Sequence, residues 1–219
     1  MIQLLKDNWK RILIIILFYL INFGLWELIA PTVSGEWASF IVYVVLFVVV
    51  LTVFHKELSE EWNDLKAHQL QSKRFYLNLI VWLIADLVFT MLLLYVVDKF
   101  KLDILPKNNE NVKTQMISVP IVLTVIQGCI FAPVTEEMTF RFSLVGKPKT
   151  RIGASVAAVI SIFLFDCIHI VKFSEFFYYL LPAVVLTIFY TRYRNVFASI
   201  MLHSAINVVG YVGLLFGIL

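Results

Sequence analysis

Charge is scarce in this chain. Only 15% of its 219 residues are Asp, Glu, Lys or Arg, whereas 61% are apolar and the mean hydropathy is +0.88. A soluble domain is about a quarter charged and half apolar, so the shortage excludes a soluble globular protein. Cysteine is also scarce. Cys129 and Cys167 both lie in apolar stretches, so no disulfide framework and no redox compartment follow. The net charge of +3 is too small and too scattered for nucleic-acid binding, and the basic loops of a membrane protein account for it. There is no internal repeat and no low-complexity tract. Two hydrolytic signatures are missing as well: H-E-x-x-H, which places two zinc-binding histidines on one helix face, and G-x-S-x-G, the serine nucleophile elbow.

What the chain does have is long apolar runs, at about 12–30, 38–54, 76–97, 115–146, 152–171, 175–191 and 195–219. Each is long enough, or nearly so, to cross a bilayer, and a helix is the only single-segment way to do so. The expectation is an all-α polytopic membrane protein with about seven transmembrane helices, forming one domain over 1–219. Within it, 1–114 reads as generic spans and loops and 115–219 as the functional core. The first run is too long for the apolar part of a cleaved signal peptide, and Pro31 follows it, so it reads as an anchor. The polar segments 55–75 and 98–114 read as surface structure and as an Asn-rich loop. With the N-terminus inside, 13 basic residues fall in cytoplasmic segments (Lys6, Lys10, Arg11, Lys56, Lys66, Lys73, Arg74, Arg141, Lys147, Lys149, Arg151, Arg192, Arg194). Five fall outside (Lys99, Lys101, Lys107, Lys113, Lys172). The bias predicts a cytoplasmic N-terminus, in a plasma membrane that the compactness of the chain suggests is bacterial.

Against this background Glu136, Glu137 and Arg141 stand out. Facing lipid, the three together would cost roughly 8–10 kcal/mol on insertion scales, so they must face protein or a water-filled cavity. Glu137 and Arg141 are spaced i, i+4 and can pair. Glu136 points about 100° away and has no partner on its own helix. Pro133 removes a backbone hydrogen bond just before the cluster and is expected to kink the helix there.

Of the four histidines, His55 and His68 sit in the polar segment and read as solvated. His169 ends the fifth run, one turn after Phe165, which can pack on its ring. His203 lies in the seventh, one turn before Asn207. A lone intramembrane histidine is usually a helix–helix hydrogen-bonding residue. Two of them with an aligned Asn and an unpaired Glu make a set that hydrolysis can use. A carboxylate can take a proton from water, and neutral imidazole and carboxamide can donate to the developing oxyanion. Alternatively, Glu136, His169 and His203 could hold a single zinc ion. Cys167 is a poor nucleophile for His169, because residues two apart on a helix do not face each other. Asp86 and Asp166 are two more buried acids, read as interhelical hydrogen-bonding groups, with a supporting role at His169 open to Asp166. Glu27, Glu36 and Glu175 sit near span ends.

The segments APVTEEMTFR (132–141), FDCIH (165–169) and HSAIN (203–207) resemble three motifs, E-E-x-x-x-R, F-x-x-x-H and H-x-x-x-N. These motifs mark the CAAX-protease and bacteriocin-processing intramembrane proteases, the CPBP or Abi family. The resemblance covers about 132–207. It implies a helical fold with its active site in a cavity within the bilayer, and Glu136 as the base activating water with His169 as its partner. It places His203 and Asn207 on the oxyanion side, and Glu137, Arg141 and Phe165 in support. Phe142 departs from the pattern, since members often carry Gly there, and a bulky side chain would narrow the cavity or alter helix packing. The implied substrate is a membrane-associated peptide or protein tail, such as a bacteriocin precursor or leader remnant.

Two rivals remain. One is a non-enzymatic immunity or scaffold protein of the same fold, which would not need all four of Glu136, His169, His203 and Asn207. The other is a transporter or proton relay, for which matching repeats would be expected. Depth sets one condition. At 1.5 Å per residue, Glu136 lies about 17 Å from Lys147, His203 and Asn207 about 12 and 18 Å from Asn195, and His169 about 27 Å from Arg151. These converge only if the fifth helix starts late or tilts.

Overall fold

Apolar segments that cannot hydrogen-bond to lipid must close their backbone bonds internally, and the computed structural model shows that result. It describes residues 2–104, 107–146 and 151–216, among which every regular element is helical. Helix α1 (Ile2–Tyr19) runs on through a wide π turn, Leu20–Leu25, into Trp26–Ile29. Then come α2 (Gly35–Val53), α3 (His55–His68), α4 (Lys73–Phe100) and α5 (Lys107–Ser118). The remainder is α6 (Ile121–Val145), α7 (Arg151–Cys167), α8 (Phe173–Tyr193) and α9 (Val196–Leu215). Six helices among the described residues are long and apolar enough to span a membrane, and the stretch Ile152–Cys167 is a shorter apolar one. Much of the outer surface is apolar, Ile80, Leu92, Val122 and Val159 included, as contact with lipid requires.

Local chemistry sets the ends. Ser34 caps α2 by accepting from the Trp37 N–H, and α4 stops at Lys101, whose φ of 51° is left-handed. Asn195 caps α9, its Oδ1 accepting from the Phe197 N–H at 3.0 Å. Its amide donates to the Glu61 carbonyl at 2.7 Å, and Glu61 Oε2 accepts from the Val196 N–H at 2.9 Å. The amphipathic helix α3 therefore lays a carboxylate on the positive end of α9 and fixes the helix that carries His203. Inside, Phe18, Leu46, Phe140, Phe165, Leu186 and Leu202 belong to one core cluster. Ile14, Phe54, Met138, Tyr190 and Val196 belong to a second, nearer the α3 end.

Several expectations need correction. The overlong fourth run is two helices. Pro120 has no N–H and restricts the residue before it, so α5 ends at Ser118 and α6 begins at Ile121. The Asn-rich loop is largely α5, which is docked by the Gln115 amide on the Glu36 carbonyl at 3.2 Å. Pro133 is accommodated by wide π turns on either side of it, Gln127–Phe131 and Glu137–Val145. Arg141, counted among the cytoplasmic loop residues, is fully buried. Lys147 and Lys149 lie outside the described residues, as do the side chains of Lys6, Lys107 and Arg151.

The depth mismatch is resolved by register and by length. The Ser161 hydroxyl donates to the Phe140 carbonyl at 2.7 Å, so a position ten residues into α7 lies level with one six residues before Gly146. Helix α7 thus starts further out than α6 ends. Its 17 residues reach about 25 Å, short of a hydrocarbon core of about 30 Å. His169 sits in the turn just beyond, its N–H donating to the Asp166 carbonyl at 2.9 Å. The chain then returns through α8. Glu175 holds that return by accepting from the Val171 N–H at 2.8 Å, and it is buried rather than an ordinary span-end acid.

Candidate active site

Glu136 lies at the end of the short α segment between the two π turns of α6, and it is 2% exposed. Its Oε1 accepts from the Tyr43 hydroxyl at 3.0 Å. Its Oε2 is 3.8 Å from His169 Nε2 and 3.8 Å from His203 Nε2. That spacing is too long for a hydrogen bond, but one water can bridge each pair. The three side chains that the sequence singled out on separate segments thus meet around one carboxylate oxygen.

The adjacent glutamate has a different surrounding. Glu137 is fully buried and accepts from Arg141 Nη1 at 3.0 Å, from His203 Nδ1 at 2.8 Å and, by a short bond, from the Ser199 hydroxyl. Arg141 Nη2 donates to the Ala183 carbonyl at 3.3 Å, and its guanidinium lies 4.2 Å over the Phe165 ring. Phe165 also meets His169, with ring centroids 4.6 Å apart, and His203, at 5.8 Å. Tyr179 covers the other side of His169 at 5.0 Å. His169 is therefore wedged between two aromatic rings, and Phe165 is the wall it shares with His203.

The hydrogen bonds also fix the tautomers. His203 Nδ1 faces a carboxylate and His169 Nδ1 faces the Phe165 carbonyl at 2.8 Å. Both partners only accept, so in the neutral rings Nδ1 carries the proton and Nε2 presents a lone pair to the Glu136 side. The expectation that a neutral imidazole donates to an oxyanion fails for this geometry: Nε2 donates only in the charged ring. Asn207 gives one amide hydrogen to the Gly128 carbonyl at 2.7 Å, which leaves the second for another acceptor. Gly128 itself packs against Tyr211 so closely that a Cβ would collide with the phenol.

A cavity of about 900 Å³ touches Glu136, His169, His203 and Asn207. It extends to Trp26, Glu36, Asn111 and Tyr178, toward the end of the bundle that carries α5 and the turn before α2. Arg11, Gly146 and Asn195 mark the opposite end. Phe142 is not among the lining residues; its ring lies under the Arg11 guanidinium at 5.4 Å, so it acts on packing and not on cavity width. Among the described residues, no group of three or more His, Cys, Asp or Glu is arranged to hold a metal ion. The donors Glu136, His169 and His203, as placed, do not fit zinc.

Two contributors escaped the sequence. Ser199 had a signal, since Ser199, His203 and Asn207 repeat at i, i+4, i+8 on one face of α9. Tyr43 had none, as one aromatic in an apolar run. Asp86 and Asp166 were read as interhelical hydrogen-bonding groups; that reading fails for Asp166, both of whose oxygens are buried without a hydrogen-bond partner, and Asp86 Oδ1 is likewise without one.

Cys167 is exposed and Cys129 is buried, and neither lines the cavity. Cys129→Ala with Cys167→Ser is expected to retain wild-type peptide cleavage and to resist thiol-directed inhibitors. Complete loss of cleavage in a folded double variant would make a cysteine part of the chemistry.

Fold and site together define a polytopic helical membrane protein with a polar centre sunk among its spans. Residues 118–209, which hold all three motifs, match the family model of Rce1-like type II CAAX prenyl endopeptidases, so this segment is of the CAAX-protease (CPBP) family. No curated protein and no solved structure matches the chain.

Proposed function

We propose that this protein is an intramembrane endopeptidase in which Glu136 activates water to attack a peptide bond. The observation that carries the reading is the placement of one Glu136 oxygen 3.8 Å from each of two imidazole nitrogens, on the wall of a cavity. A water held there donates one proton to Glu136, and its oxygen attacks the substrate carbonyl. The tetrahedral oxyanion lies on the His203 and Asn207 side. Asn207 offers its second amide hydrogen there, and His203 donates from Nε2 when charged, with Glu137 stabilising that charge. Glu136 then gives its proton to the leaving nitrogen and the C–N bond breaks, leaving a carboxylic acid and an amine. His169 holds the water on the opposite side, and Arg141 fixes Glu137.

On the positive-inside reading, the cavity opens toward the outer face, so a membrane-associated peptide or protein segment would enter from that side. A bacteriocin-like or leader peptide in a bacterial plasma membrane fits this reading. A binding-only immunity or scaffold role would leave the convergence of both imidazoles on Glu136 without a purpose.

The test is incubation of purified protein with membrane-associated peptides and identification of fragments by mass spectrometry, with and without a zinc chelator. Cleavage is expected, and chelation is expected to change its rate by less than about twofold, because water activation is assigned to Glu136 itself. Zinc copurifying near one equivalent and lost together with activity would replace this mechanism with a metal-assisted one. Absence of any product across such peptides would favour the binding role.

A further inference from the structure

Asp86 lies midway along α4, outside the family-matched segment, and is 6% exposed. Its Oδ1 is shut off from solvent with no hydrogen-bond partner. It lines the same cavity as Glu136 and Asn207, and it is near enough to His203 for their charges to interact. A carboxylate at bilayer depth is costly unless paired, and a carboxylate that lines a cavity is paired by whatever the cavity takes in.

The cavity's own chemistry says what that is. Among the described residues that line it, Glu27, Glu36, Asp86 and Glu136 are carboxylates and none is Lys or Arg. Glu27 is exposed and Glu36 is half-buried, whereas Asp86 and Glu136 are buried. Negative charge therefore runs from the mouth to the centre with no Lys or Arg among the described lining residues, which attracts positive ligands. Leu83, Asp86, Leu87 and Thr90 all line the cavity at i, i+3, i+4, i+7, so they form one face of α4. That face suits a basic side chain, with leucines for its aliphatic stem and a carboxylate for its charged head.

We propose that Asp86 is a specificity-determining carboxylate, and that the substrate carries a Lys or Arg side chain which Asp86 binds when the peptide lies against Glu136. This rests on the endopeptidase reading above. A charge-assisted pair in a buried site favours the basic peptide by roughly ten- to hundredfold.

The probes are N-acetylated apolar peptides of about twenty residues, identical except for one Lys, norleucine or Glu stepped along the sequence. Cleavage by wild type, Asp86→Asn and Asp86→Lys is read by mass spectrometry. Binding is read by fluorescence anisotropy on the same proteins carrying Glu136→Gln. In wild type, Lys should exceed norleucine by ten- to hundredfold in kcat/KM at one position, with a parallel difference in Kd. The ratio should fall toward one in Asp86→Asn, and Asp86→Lys should turn the preference toward Glu. Equal handling of Lys and norleucine peptides at every position would overturn the proposal, as would a Lys preference that survives Asp86→Asn. Asp86-dependent binding of the Lys peptide without any cleavage would uphold the ligand class and sink the endopeptidase reading. Cleavage without charge preference would do the reverse.

Discussion

Glu136→Gln is expected to lower kcat for peptide cleavage by about 10²–10⁴-fold while leaving the melting temperature in detergent unchanged or raised. Glutamine keeps the size of the side chain, and its carbonyl oxygen can still accept from Tyr43. Its amide nitrogen takes the place of the oxygen that faces His169 and His203 across 3.8 Å. What is lost is the ability to take a proton from water. What is also lost is a buried negative charge that accepts from a neutral phenol, the Tyr43 hydroxyl. Active-site charges of this kind are retained for function at some cost in stability, so the folded state should not suffer. The measurement is steady-state cleavage beside thermal unfolding on the same preparation. Activity within a few-fold of wild type would remove Glu136 from the role of base.

That assignment was half legible in the sequence. The Glu136, Glu137, Arg141 spacing separates a pairing glutamate from an unpaired one, because i, i+4 neighbours share a helix face. The structure keeps the Glu137–Arg141 pair even though this stretch is π-helical rather than α-helical. The bond from His203 Nδ1 to Glu137 was not legible, since it joins residues 66 apart in the chain. Local periodicity carries no information on which face of α9 meets which face of α6. Tyr43 was hidden for the same reason.

The fold was read well where composition decides and poorly where a single residue does. Apolar runs alone indicate spans. The split at Pro120 and the early stop of α7 depend on one missing N–H and on a turn held by Glu175, and hydropathy registers neither. The shortness of α7 also explains how a residue apparently too deep reaches the site. His169 lies just past the end of α7, in the turn where the chain reverses.

Glu137→Gln should be the more damaging of the two neighbouring changes. Glu137 accepts from three donors, Arg141, His203 and Ser199, and all of them are buried. A glutamine has one acceptor oxygen and brings a donating amide to a place where only donors point. Arg141 is then left charged at 0% exposure with the Ala183 carbonyl as its remaining hydrogen-bond acceptor. Breaking a buried pair in this way costs about 3–5 kcal/mol, a large share of the 5–15 kcal/mol by which domains are stable. The melting temperature in detergent should fall sharply. Activity should fall too, for a separate reason: without the carboxylate, nothing fixes which nitrogen of His203 carries the proton. Ser199→Ala separates the two effects. It removes one donor to Glu137 without stranding a charge, at about 1 kcal/mol, and leaves both the Arg141 pair and the His203 bond in place. Ser199→Ala should therefore stay folded and keep most of its kcat. Glu137→Gln, measured below its own melting temperature, should lose kcat with little change in KM, because the peptide still fits the cavity. A Glu137→Gln protein that melts with the wild type would show that Arg141 finds another partner. One that melts early but retains wild-type kcat would confine Glu137 to holding the helix.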